Sequence, residues 1–131
     1  MKLGEIASLL GARFVTGEEH RGREVTRAFA ADLLSDVLAM VQEEGVLLIT
    51  GMTTPQVVRV AEVMNMGAVL FVRGKLPSPA TVEYAVGAAI PLLACEGDMY
   101  ETCGVLYRVG LLPAKRKGFH FDHAPRSSGR P

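Results

Sequence analysis

Val46-Leu-Leu-Ile-Thr-Gly51 is the segment from which the rest of the chain can be read. The same shape returns as Val69-Leu-Phe-Val-Arg-Gly74 and as Leu92-Leu-Ala-Cys-Glu-Gly97. The closing glycines, Gly51, Gly74 and Gly97, lie 23 residues apart each time. Each apolar run ends at a glycine turn and leads into a helical stretch, over residues 55–65, 79–89 and 99–109. Near-continuous apolar strands are buried on both faces, as in a parallel sheet. Strands that alternate with helices through short turns read as right-handed βαβ units. A solenoid would carry the repeat throughout, but residues 1–45 do not follow it. The expected fold is α/β, an open and mostly parallel sheet flanked by helices.

Working outward, residues 2–10 read as a helix with Leu3, Ile6, Ala7 and Leu10 on one side, stopped by Gly11. Residues 12–16 and 24–30 read as strands around a polar turn at 17–22. Leu34, Val37, Leu38 and Val41 form the apolar face of a helix expected over 34–44, with Ser35 or Asp32 as its cap and Gly45 as its end. Thr54-Pro55 and Ser78-Pro79 each place a capping residue before a first-turn proline. Asp98 and Glu101 have the spacing of a capping box. Residues 113–131 are rich in Pro, Gly, Ser and charge. They are expected to form a flexible basic tail after a single domain over 1–112.

Composition narrows the function classes. The chain has 131 residues, 49% of them hydrophobic, enough for one domain with a real core. Its longest apolar runs are far short of the ~20 residues of a membrane span, and the N-terminus lacks a signal-peptide core. A cytoplasmic location is expected. Lys115, Arg116, Lys117, Arg126 and Arg130 against Asp122 give residues 113–131 a charge of +4, which leaves −4 on residues 1–112. An acidic body argues against nucleic acid, whose phosphates dominate such binding. Cys95 and Cys103 are too few for a disulfide framework, are not spaced CxxC, and are expected as small buried hydrophobes.

The stretch from Gly22 to Gly110 resembles a DRTGG domain. The resemblance is carried by Arg23-Glu-Val-Thr-Arg-Ala-Phe-Ala-Ala-Asp-Leu-Leu-Ser-Asp-Val-Leu38, Leu48-Ile-Thr-Gly-Met-Thr-Thr-Pro-Gln56, Leu70-Phe-Val-Arg-Gly74, Pro91-Leu-Leu93 and Asp98-Met-Tyr-Glu-Thr-Cys-Gly104. Lys2-Leu-Gly-Glu-Ile-Ala-Ser-Leu-Leu-Gly11 fits the start of stand-alone members. Arg23 matches the family's arginine and Thr50-Gly51 a Thr-Gly pair. Gly22 stands where an acidic residue is usual, and Arg27 where a small one is common. The resemblance implies a fold similar to the N-terminal domain of HPr kinase and related to the small N-terminal domain of Mur ligases. It implies a role in regulation or subunit contact, as beside CBS domains in pyrophosphatases and within long phosphotransacetylases. Stand-alone relatives are often encoded near redox and hydrogenase-type genes, which implies a larger enzyme partner. No Walker A motif is present, so the kinase activity of HPr kinase is not implied.

Ligands of open α/β sheets favour the crevice beyond the strands' carboxyl ends. There the three turns should supply Thr50, Gly51, Thr53 and Thr54, then Arg73, Gly74 and Lys75, then Glu96, Gly97 and Asp98. Three helix N-termini and two cations suit a small anion, and glycines let a backbone approach a ligand. The expected ligand-binding residues are Thr50, Gly51, Thr53, Thr54, Arg73, Gly74, Lys75 and Gly97. The plainer alternative is that these threonines and glycines serve caps and tight turns. Tyr100, Cys103 and Tyr107 share one helical face with Gly104 and are the candidate interface of a homodimer, core packing being the alternative.

Catalytic patterns are missing from the sequence. There is no GxSxG elbow, Asp98 reads as a cap, and His20 has no evident partner in the sequence. His120, Asp122 and His123 have the makings of a metal site, but in the expected tail. The expected function is a regulatory or ligand-sensing domain, not an enzyme, that needs no cofactor or metal, binds a small anionic metabolite or nucleotide and dimerises. The alternatives are an accessory subunit of a larger metabolic or redox enzyme and a small redox or metal-binding protein.

Overall fold

The computed structural model describes residues 1–117. Its elements are α1 (Leu3–Leu10), β1 (Arg13–Thr16), a 3-10 turn (Glu18–His20), β2 (Arg27–Ala30), α2 (Leu34–Met40), β3 (Leu47–Thr50), α3 (Pro55–Val63), β4 (Ala68–Phe71), α4 (Pro79–Ala88), β5 (Leu92–Ala94), α5 (Met99–Arg108) and β6 (Leu112–Pro113). One six-stranded sheet has the order β1-β5-β4-β3-β2-β6. Strands β2 to β6 are parallel, and β1 runs antiparallel along β5. The mostly parallel sheet read from the repeat is therefore present, with one antiparallel edge.

Alternating strand residues supply two cores. Leu48, Val69, Phe71 and Leu92 face α2, α3 and α4, meeting Val37, Val57, Val58, Ala61 and Ala85. Leu47, Ile49, Leu70 and Leu93 face the other way, onto Leu3 and Ile6 of α1 and Leu106 of α5. Every residue of β3, β4 and β5 is buried. Helices on both faces follow from that, because a parallel strand exposes neither side to water.

Three expectations needed correction. The helix expected over 34–44 stops at Met40, because Val41 turns extended and bridges Arg116. Gln42 N–H donates to Lys115 O at 3.0 Å, and Lys117 N–H to Met40 O at 2.9 Å. Tertiary pairing thus replaces the last helical turn, and Leu38, expected on the apolar face, is 49% exposed. Neither Ser35 nor Asp32 caps α2; Leu33 occupies that position without a side-chain bond. The strand expected over 24–30 begins at Arg27, with Glu24 in an isolated bridge to Lys2.

The tail boundary at 113 falls inside paired backbone. Leu112 and Pro113 pair with β2, and Ala114 N–H donates to Ala28 O at 2.9 Å. His120, Asp122 and His123 lie outside the described residues. Among the described residues no helix is long and apolar enough to cross a membrane.

Phe71 is the largest fully buried side chain, at the centre of the sheet. Phe71→Ala is expected to cost about 3–5 kcal/mol, read as a fall in the urea midpoint with the folded-state spectrum retained.

Candidate functional site

Strands β2, β3, β4 and β5 end together, and the turns that follow them form one carboxyl edge. At β3, Thr50 is fully buried. Its hydroxyl donates to Asp32 Oδ1 at 3.2 Å and accepts from Met52 N–H at 3.1 Å. Gly51 N–H donates to the same Asp32 oxygen at 2.7 Å. Asp32, just past β2, therefore ties the ends of two neighbouring strands together. Thr50 and the Gly51 amide are spent inside the chain. They make the floor of the edge.

Arg73 is the unusual residue of the edge. Arg73 and Gly74 both have left-handed backbones, with φ of 62° and 65°, and Lys75 N–H closes the turn onto Val72 O at 3.3 Å. Two successive left-handed residues make a type I′ turn, which favours Asn or Gly at its first central position. Placing arginine there costs about 1–2 kcal/mol. The turn is held from outside, as Arg73 N–H donates to Gly97 O at 2.8 Å and Gly74 N–H to Cys95 O at 2.9 Å. The guanidinium lies across Gly51, where a Cβ would come within 2.7 Å of Nη2 and 3.4 Å of Asp32 Oδ1. Arg73 nonetheless forms no ion pair or side-chain hydrogen bond with any described residue.

The three helix N-termini are not equivalent. Asp98 and Glu101 complete a capping box on α5, with bonds of 2.8 and 3.0 Å, so two carboxylates already occupy that end. Ser78 caps α4 through Thr81 N–H at 3.3 Å. The buried Thr81 hydroxyl donates to Thr53 O at 2.8 Å and fixes the turn before α3. Thr54 precedes Pro55 with no side-chain cap, which leaves α3 without one. Thr53 is half-buried, while Thr54, Arg73 and Lys75 are exposed. Glu96 lies against Gly74, its carboxylate 2.9 Å from where a Cβ would stand. Gly97 lends its carbonyl to the Arg73 turn. The eight expected ligand residues thus share one edge, but only Thr53, Thr54, Arg73 and Lys75 present unused side chains.

The DRTGG domain family matches residues 5–109. This chain belongs to the DRTGG domain family. Its fold is similar to the crystal structure of the CBS and DRTGG domains of the regulatory region of Clostridium perfringens pyrophosphatase, complexed with its activator diadenosine tetraphosphate. That similarity has a TM-score of 0.65 at 17% identity, over 89% of this chain and 51% of the other. The DRTGG chain thus spans about half the length of that neighbour. No curated protein matches the chain significantly.

Arg23, which matches the DRTGG arginine, lies at the opposite end of the strands. Its Nη1 donates to Gly67 O at 2.8 Å, just before β4. Its Nη2 sits 3.4 Å from His20 Nδ1, and Glu19 approaches the other ring nitrogen at 3.7 Å. His20 therefore has partners that the sequence did not reveal. Asp32 is the residue that sequence reasoning missed at the carboxyl edge, where it had been weighed only as a helix cap.

Among the described residues no three His, Cys, Asp or Glu side chains gather as a metal site. Cys95 is buried against the Thr102 hydroxyl at 3.5 Å. Cys103 is half-buried, and burial pushes its thiol pKa up. A raised pKa means less thiolate at neutral pH, so Cys103 is expected to alkylate more slowly than a free thiol, and Cys95 only on unfolding. Mass spectrometry after iodoacetamide treatment reads both. Asp32→Ala leaves the Gly51 amide and Thr50 hydroxyl without their acceptor and is expected to cost about 1–3 kcal/mol, measured by urea unfolding.

Proposed function

We propose that this DRTGG domain is a non-catalytic cytoplasmic regulatory module that senses a small phosphorylated metabolite or nucleotide at the carboxyl edge and works as a homodimer. The observation that carries the reading is Arg73: an exposed cation whose backbone is held in a strained turn, without a side-chain partner among the described residues, on the same edge as the uncapped start of α3. Backbone strain of this kind persists where function retains it. Arg73 and the α3 N-terminus supply positive potential for a phosphate. The second carboxylate oxygen of Asp32 has no hydrogen-bond partner among the described residues and suits a hydroxyl or amine of the same ligand. A nucleotide or sugar phosphate carries both groups. The activator bound by the pyrophosphatase regulatory region is a nucleotide, which supports the same class.

A second reading is a pure interaction module, an accessory subunit to a larger enzyme. The exposure of Leu33, just before α2, and of Leu38 on it, 61% and 49%, favours it.

Calorimetric titration with nucleotides and sugar phosphates separates the two. Saturable binding is expected, lost in Arg73→Ala and weakened in Gly51→Ala, whose new methyl displaces the guanidinium without removing it. No binding by any phosphorylated compound, or equal binding by Arg73→Ala, overturns the sensing reading and leaves the interaction module.

A further inference from the structure

Gly104 stands in the middle of α5, exposed, where an added Cβ would meet nothing within 4 Å. Glycine inside a helix costs about 1 kcal/mol relative to alanine. Among the described residues nothing packs where its side chain would stand, so another element can approach the helix backbone there. Tyr100 and Tyr107, four residues before and three after, are 88% and 52% exposed. At helical spacing the three residues form one outward stripe.

The two flanks of this stripe differ. Beside Tyr107 and Cys103, between α5 and the sheet edge, lies an apolar cleft of about 130 Å³ that also touches Ala28, Ala30, Leu112 and Pro113. On the other flank stand Glu101 near the helix start and Arg108 at its end, both exposed. Arg108 has no ion-pair partner among the described residues.

We propose that α5 pairs antiparallel with α5 of a second copy, with the two-fold axis at Gly104. This inference rests on the dimer proposed above and names its surface. A two-fold axis perpendicular to the helices brings each flank of the stripe against the same flank of the second helix and sets residues before Gly104 opposite residues after it. Tyr100, four before, and Tyr107, three after, share one flank, while Glu101, three before, and Arg108, four after, share the other, so each pair meets with an offset of one residue. Tyr100 of one copy then lies over Tyr107 of the other and enters its apolar cleft. Glu101 of one copy meets Arg108 of the other on the opposite flank. Each contact occurs twice, as an isologous interface requires. The antiparallel helix dipoles and both charge pairs are complementary. The missing Cβ at Gly104 lets the axes approach where they cross. Exposed Val109 and Leu112 continue the apolar surface beyond the helix, since an interface of ~800 Å² per partner needs more than one helix face.

Sedimentation equilibrium of the full chain tests the pairing. The wild type is expected to dimerise at micromolar concentration. Tyr100→Ala and Gly104→Gln are each expected to weaken the dimer by at least about tenfold, with melting temperatures at or above that of a wild-type sample diluted to monomer. Arg108→Glu is expected to weaken it too, and the double variant Glu101→Arg/Arg108→Glu to recover association. A monomeric wild type overturns both the dimer and its surface. A wild-type dimer that survives Tyr100→Ala and Gly104→Gln overturns this pairing alone and leaves the dimer reading standing.

Discussion

Two-sided burial of β3, β4 and β5 is the constraint on which the rest of the structure depends. Leu48 and Phe71 pack toward one helical layer while Leu47 and Leu70 pack toward the other. A strand with no wet face must be covered twice, and the chain does so by sending α2, α3 and α4 over one face and α1 and α5 over the other. Parallel pairing then requires each crossover to start at the same end of the sheet. The glycine turns converge there as a consequence of the core, before any function is considered. The strand interiors carry stability, and the turns at the carboxyl edge carry what freedom the sequence has.

That freedom is used unequally. The turn after β5 is closed by its own carboxylates, and the turn before α4 by Ser78 and Thr81. The turn after β3 is locked from below by Asp32, which uses up the Gly51 amide. What remains is Gly51, itself buried, with Arg73 laid across it from the end of the neighbouring strand. A side chain at that position would push the guanidinium aside. Arg73 is held in a backbone region where arginine gains nothing locally. An exposed cation on a strained turn, without a partner among the described residues, supports the proposed capture of a phosphate. None of the described side chains at the edge is arranged as a nucleophile with its base.

Much of this was legible in the sequence. The 23-residue spacing of Gly51, Gly74 and Gly97 gave the parallel strands and their helices because burial pattern and turn chemistry are both local signals. Ser78 and Asp98 announced their caps for the same reason. The misses all involve partners distant in sequence. β1 pairs antiparallel with β5 about 80 residues away, and no periodicity reports such a neighbour. Residues 113–131 were read as a tail because they are rich in Pro, Gly, Ser and charge, yet Lys115 and Lys117 bond to Gln42 and Met40 where α2 ends. Asp32 has the residue type and position of a helix cap. Only the adjacency of β2 and β3 turns its carboxylate toward Gly51. Arg73 was legible as a charge at the edge, while its strained turn and its lack of a partner among the described residues show only in the folded chain.

The carboxyl edge and the outer stripe of α5 lie at different places on the domain, and α5 links them, beginning beside the edge at Asp98 and ending at Arg108, one residue past the stripe's Tyr107. A module built this way can bind at one place and associate at another. The central claim is that the open part of the edge binds a phosphorylated ligand. Amide chemical-shift mapping of the ¹⁵N-labelled chain during titration with a nucleotide tests it most directly. The account predicts saturable shifts concentrated at Gly51, Thr53, Thr54, Arg73 and Lys75. Shifts that are absent for every phosphorylated compound, or that cluster away from that edge, would contradict it.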